Sequence, residues 1–256
     1  MAILLPGLAA GGLGLRLAWN PADRRLGEVI RLLLPNGLAV GVIYAGSIAD
    51  TAFASMAPET AGLPALHNAW LLVGLPIALL GQAVGQSAFP RLASYAAGAK
   101  WDAFRRTALC SLAAAIALSI PAVLGLVILG RLTIRVLFEH GRYDTEAGTL
   151  TYAVLGAYAL GLPAYVASEI LGRGLIALRD TRTPLLTNTG QVLGRIAIMV
   201  ILVGRLGVLA VPSAFAATGA LESVVLAVIL LVKLHRRHSR AAGVGWRLTK
   251  TPPASA

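Results

Sequence analysis

With one cysteine, Cys110, in 256 residues, the chain has no second thiol for a disulfide and no Cys framework for a metal. That cysteine lies inside an apolar stretch, where it reads as packing. Charge is scarce too: 13% of residues are charged, against roughly 25% in a soluble domain. Acidic side chains number 11 against 22 basic ones, for a net charge of +11. Aromatics make up only 6%, and the basic residues sit between apolar runs, so nucleic acid is not an expected partner. Enzyme signatures are missing as well. There is no Gly-x4-Gly-Lys-Ser/Thr loop, no His-Glu-x-x-His and no Cys-x-x-Cys. Gly11-Gly12-Leu13-Gly14 follows no strand pattern, and His235 and His238 stand among Arg and Lys, where metal binding is not expected. No enzyme activity is expected.

What the chain has is apolar length. Hydrophobic residues reach 57% and the mean hydropathy is +0.77. The runs are long and continuous rather than alternating segments of about ten residues, which excludes an outer-membrane barrel. Only helices then satisfy the backbone in lipid. Six spans are predicted: Leu32–Ser55, Ala69–Pro90, Thr107–Leu129, Leu150–Leu171, Thr187–Val203 and Val208–Val232. Prolines 35, 76, 121, 163 and 212 fall in or near five of them, as suits helices that bend. The expected fold is an all-α integral membrane protein, a six-transmembrane-helix bundle. Residues 1–31 read as the end of a helix that continues upstream, followed by an amphipathic cytoplasmic linker. Residues 32–233 form the helical lobe, and 234–256 a basic disordered cytoplasmic tail.

Charge gives the orientation independently. Alternate connectors and the two ends carry seventeen Lys and Arg on one side and four on the other, with Arg195 left inside a span. The richer side faces the cytoplasm and its anionic headgroups. This places the chain, with the lipid bilayer as its partner, in a cytoplasmic membrane.

Several connectors carry a resemblance. IADTAFASM (Ile48–Met56), FPRLASYAAGAKWDAF (Phe89–Phe104), LFEHGRYDTEA (Leu137–Ala147) and IALRDTRTP (Ile176–Pro184) are similar, in order and spacing, to segments of the lipid II flippase (MurJ/MviN) family. The resemblance covers the second lobe of that family's fold, the multidrug/oligosaccharidyl-lipid/polysaccharide exporter fold of two six-helix lobes around a cavity. It implies a bacterial inner-membrane protein of cell-wall biosynthesis that moves an undecaprenyl-linked glycan precursor, lipid II, by alternating access. A first lobe, or a second copy, is then an expected partner. Two other readings stand beside it: export of another lipid-linked oligosaccharide, and a truncated membrane scaffold that transports nothing.

Ionisable residues inside spans are the sharpest functional signal, since each costs about 2.5–3.5 kcal/mol at a helix centre unless paired or hydrated. Asp50, Glu169, Arg195 and Glu222 qualify. Counting along antiparallel neighbours puts Arg195 and Glu222 at one depth, so the residues predict that they pair, as a coupling switch or a static bridge. The resemblance offers Arg195 a second place. Asp50 matches an acidic position of a monovalent-cation site in some family members, whose fifth-helix partners align with Arg195 and Met199. A guanidinium there replaces the cation, which argues against sodium; coupling to a monovalent cation or a proton is otherwise left open, with no other cofactor. Glu169 and Arg173 have the spacing of a helix-boundary ion pair. Gly81 and Gly85 allow close helix approach, and Gln82 and Gln86 are candidates for a cavity wall or for cross-linking helices. Family members that transport the precursor carry an Asp-Arg pair facing its pyrophosphate; counting back from Pro76, Trp70 and Leu71 occupy those positions.

Overall fold

The computed structural model describes residues 24–141 and 143–248, and only the backbone of residues 24–36, 39, 82, 83 and 238–248. The predicted upstream helix end, the linker as far as residue 23, Arg142 and residues 249–256 lie outside the described residues. Two units divide the chain, Met1–Leu38 and Ala39–Ala256. Of the first, only the opening stretch of a helix is described. All packing below belongs to the second.

Every described element is helical. Helix α1 covers Arg24–Met56. Helix α2, Gly62–Pro76, passes into a π-helical stretch, Ile77–Val84, and then α3, Gly85–Ala97. Helix α4 is Trp101–Leu137, α5 Thr145–Ala177 and α6 Arg182–Leu206. A 3-10 turn, Gly207–Leu209, leads into α7, Ala210–Leu248. Four stretches are long and apolar enough to cross a membrane: Gly62–Ala97, Trp101–Leu137, Thr145–Ala177 and Arg182–Arg237, the last containing both α6 and α7. Val40–Met56 is a shorter apolar helix.

Among the described residues the backbone is already helical at Arg24, within the stretch read as an amphipathic linker, and α7 continues to Leu248, within the stretch read as tail. Tertiary contacts hold α7 as far as Arg237. Lys233 and Arg237, one turn apart, grip the α5–α6 connector: Lys233 Nζ pairs with Asp180 and lies 3.1 Å from Thr183 Oγ1, while Arg237 donates to the Leu178 carbonyl at 3.0 Å. Arg237 also covers the Trp101 ring at 5.5 Å. Composition alone does not reveal such contacts, which support the helix at Lys233 and Arg237.

The bundle is apolar outside and tolerates polarity within, as a lipid solvent demands. Ile128, Leu160 and Ile201 are more than 70% exposed, whereas Ser119, Thr151 and Thr218 are buried. Their hydroxyls donate to carbonyls one turn back, which satisfies them inside the helix. Helix α5 is the central strut, packed against α2, α3, α4, α6 and α7. Around it lie two separate apolar cores. One gathers Leu66, Leu72, Ile134, Leu155, Leu162, Met199 and Val211; the other gathers Leu92, Phe104, Leu175, Leu226 and Leu230. At the opposite end from the Lys233 grip, Glu59 joins the α1–α2 connector to the 3-10 turn by accepting the Val208 N–H at 3.3 Å. Gly207 has φ +55, and a side chain there would overlap the Glu59 carboxylate.

Asp180 supplies a pH-dependent part of this fold. Burial pushes its carboxyl up, but hydrogen bonds from Lys233 and Thr183 outweigh that and hold it below the ordinary 3.8. A depressed folded-state value stabilises above 3.8 and loses that contribution as pH falls through the lower folded value. Asp180→Asn should therefore lower the unfolding free energy at neutral pH by on the order of 1 kcal/mol for a partly exposed pair, seen as a lower thermal midpoint. The difference between the two proteins should close in acid below 3.8. A gap of constant size across that range would contradict the assignment.

Candidate functional site

Helix α6 carries Arg195 beside the first apolar core, where its side chain is 8% exposed. A guanidinium cannot lose its charge there, so it needs an anion and a shape that admits it. Helix α1 supplies both. Arg195 Nη1 lies 3.2 Å from Asp50 Oδ2, and Gly46, one turn before Asp50, leaves the opening that the guanidinium fills. Any Cβ at Gly46 would collide with Arg195 Nη2. On its other side the guanidinium carbon sits 5.8 Å from the centroid of the Phe215 ring of α7, a cation–π contact. Asp50 Oδ1 and Arg195 Nε have no hydrogen-bond partner among the described residues.

Phe215 belongs to an aromatic cluster that the sequence reading missed. It packs edge-on to Trp70 at 5.6 Å and to Tyr158 at 5.5 Å, and stacks on Tyr165 at 5.5 Å. Trp70 and Tyr158 meet edge-to-face at 5.3 Å. Five helices thus converge on one charged and aromatic centre: α1, α2, α5, α6 and α7. A signal was present: Tyr158 and Tyr165 are two turns apart on α5, in a chain with few aromatics to spare. Gly161 between them lets α5 approach α7 so closely that a Cβ there would lie 3.0 Å from Ala216 Cα.

The expected Arg195–Glu222 pair is corrected by this geometry. Gly194 faces the Thr218 methyl, which places Arg195 level with Thr218. Glu222 lies four residues further along α7, one turn or about 6 Å deeper. There the Thr187 side chain of α6 lies beside it. The reading of Arg195 beside Asp50 matches the observed contact, while Met199, aligned to the same region, is fully buried.

A second polar group lies around Glu222. Arg173 Nη2 is 3.4 Å from Glu169 Oε2, one turn apart on α5. Gly81 and Gly85 face these side chains rather than a helix backbone: a Cβ at Gly81 would lie 3.7 Å from Glu169 Cγ, and one at Gly85 2.8 Å from Arg173 Cδ. Gln86 is exposed at the start of α3; the Gln82 side chain lies outside the described residues. Leu71, at the position expected to face a pyrophosphate, is 53% exposed and apolar.

A family model described as lipid II flippase MurJ matches residues 1–253. A probable lipid II flippase MurJ from Rhizobium tropici is 27% identical over 237 residues, which is 93% of this chain and 43% of that protein. Its counterpart from Bdellovibrio bacteriovorus is 29% identical over 65% of this chain and 31% of its own length. The chain therefore spans a third to less than half of these relatives. Among solved structures, a lipid II flippase MurJ in an inward closed conformation superposes with TM-score 0.73 at 20% identity, covering 97% of this chain and 54% of that one. An inward-facing multidrug resistance MATE family transporter of the MOP superfamily gives 0.79 at 12% identity, over 93% and 56%. At these identities the structures speak for the fold alone.

Gly46 tests the seat of the guanidinium. Gly46→Leu should cost about 1–3 kcal/mol, the range for overpacking, because Arg195 must leave its slot. Thermal unfolding in detergent measures it; a midpoint equal to wild type would show that the slot is not needed.

Proposed function

Because the chain belongs to the lipid II flippase MurJ family, we propose that it forms one lobe of a transporter that moves a lipid-linked cell-wall glycan precursor across the bacterial cytoplasmic membrane. The family match across residues 1–253 carries this reading. In it the chain crosses the membrane six times, with α1 and the α6–α7 hairpin adding to the three long helices between them. The Lys- and Arg-rich connectors face the cytoplasm. The relatives are more than twice as long, so transport needs a second lobe, from the same polypeptide or another copy.

No bond is made or broken in such a reaction. The protein's work is to shelter a charged headgroup while its cavity changes sides. Asp50 and Arg195 serve this by tying α1 to α6: a pair buried in low dielectric resists separation, and any state that pulls the helices apart must hydrate both groups or give each a new partner. Glu222 with Thr187, and Glu169 with Arg173, are the remaining intramembrane groups placed to take part in proton or cation coupling. Gln82 and Gln86 belong to the cavity wall in this reading.

A second reading, export of a different lipid-linked oligosaccharide, is favoured by one observation. A diphosphate in a low-dielectric cavity calls for cations, and the position where the resemblance expects arginine holds the exposed Leu71. The test is complementation. The protein that carries this chain, expressed in a flippase-depleted bacterium, should restore growth and outward movement of lipid II. Membrane insertion without rescue would contradict lipid II as the substrate. Rescue lost on Asp50→Ala would tie the ion pair to the transport cycle.

A further inference from the structure

Of the six described helical rods, only the α2–α3 rod is interrupted by a π-helical stretch. Pro76 stands immediately before it. A proline has no N–H to return to the carbonyl one turn back, so the regular ladder fails at that point. The widened turns of Ile77–Val84 follow directly. Such widened turns mark places where a helix bends.

The break falls where the packing changes. Leu66, Ala69, Leu72 and Val73 of α2 belong to the first apolar core, and Ala88 and Leu92 of α3 to the second. Helix α5 passes from one core to the other between Ile170 and Leu171, and α7 between Phe215 and Leu226. At this waist polar and small groups join the apolar contacts of Leu80, Val84 and Leu112. Glu169 and Arg173 lie against Gly81 and Gly85, and Glu222 lies beside Thr187. Ile77, Leu80 and Val84 of the widened stretch pack against the first core, so the rod leaves that core only at the end of the stretch, where Gly81 and Gly85 present no side chain to α5.

We infer that Ile77–Val84 is a hinge on which α3 swings relative to α2, and that Arg173, seated against Gly85, holds α3 flush on α5. Helix α3 is about 20 Å long, so a modest rotation at the joint displaces its far end by several ångströms. The inference concerns motion within the chain and stands whether or not the transported molecule is lipid II.

Electron–electron distance measurements on the 256-residue chain in lipid vesicles test it, in a Cys110→Ser background. One spin-label pair, Ser94→Cys with Arg236→Cys, reports α3 against α7 at the second core. A control pair, His67→Cys with Thr149→Cys, reports α2 against α5 at the first. Gly85→Leu, which fills the seat, should shift the Ser94–Arg236 distance and leave His67–Thr149 unchanged. Adding Arg173→Ala to Gly85→Leu should return the first distance towards wild type, since the displaced arm is gone. Arg173→Ala alone should broaden the Ser94–Arg236 distribution, and deleting Ala83 in that background should narrow it again by removing the extra residue of the widened turn. If Gly85→Leu does not fold, the Arg173→Ala broadening decides. A Ser94–Arg236 distance that neither variant alters, or equal shifts in both pairs, would overturn the hinge.

Discussion

A permanent cation placed among hydrocarbon side chains constrains everything around it. Arg195 cannot be neutralised by giving up a proton, so α1 must bring an anion to it and leave room for it to arrive. Asp50 and Gly46 meet those two needs one turn apart. Phe215 then covers the guanidinium, and the aromatic cluster of Trp70, Tyr158 and Tyr165 packs around Phe215. The position of five helices follows from one charge and its partner.

The same device recurs along the bundle. Glycine repeatedly stands where a charged side chain of another helix or connector needs space: Gly46 for Arg195, Gly85 for Arg173, Gly148 for Glu139 and Gly207 for Glu59. In membrane helices small residues are usually explained by backbone-to-backbone approach. Here these four act as sockets, while Gly62, Gly130, Gly161 and Gly174 face backbone or apolar side chains. A socket fixes where a long side chain lies without requiring a bulky apolar contact, and it can be vacated. This property suits a protein that must hold charges in lipid and still rearrange.

The all-helical, apolar character was legible because it rests on one simple requirement, apolar length; four stretches of the structure meet it where six spans were expected. The connector IALRDTRTP was legible as a motif, and its structure explains the residues: Asp180 accepts the Thr183 N–H and is held by Lys233. The partner of Arg195 was not fixed by residue counting. Depth along a helix can be estimated from residue number, but lipid-facing and core-facing sides are both apolar here, so the periodicity that normally reveals facing is weak. An error of one turn moved Glu222 out of reach. The aromatic cluster was hidden because its members come from three helices separated by up to 145 positions, from Trp70 to Phe215. The π-helical stretch has only Pro76 as its local sign, and four other prolines near spans leave their helices unbroken.

The claim on which this account rests is that Asp50 and Arg195 depend on each other inside the membrane. A double-mutant cycle with Asp50→Asn and Arg195→Gln, read by unfolding in detergent, measures that dependence directly. A coupling energy of about 2 kcal/mol or more is predicted, with each single change costly and the double change far less than their sum. Additive costs, with coupling near zero, would contradict the account.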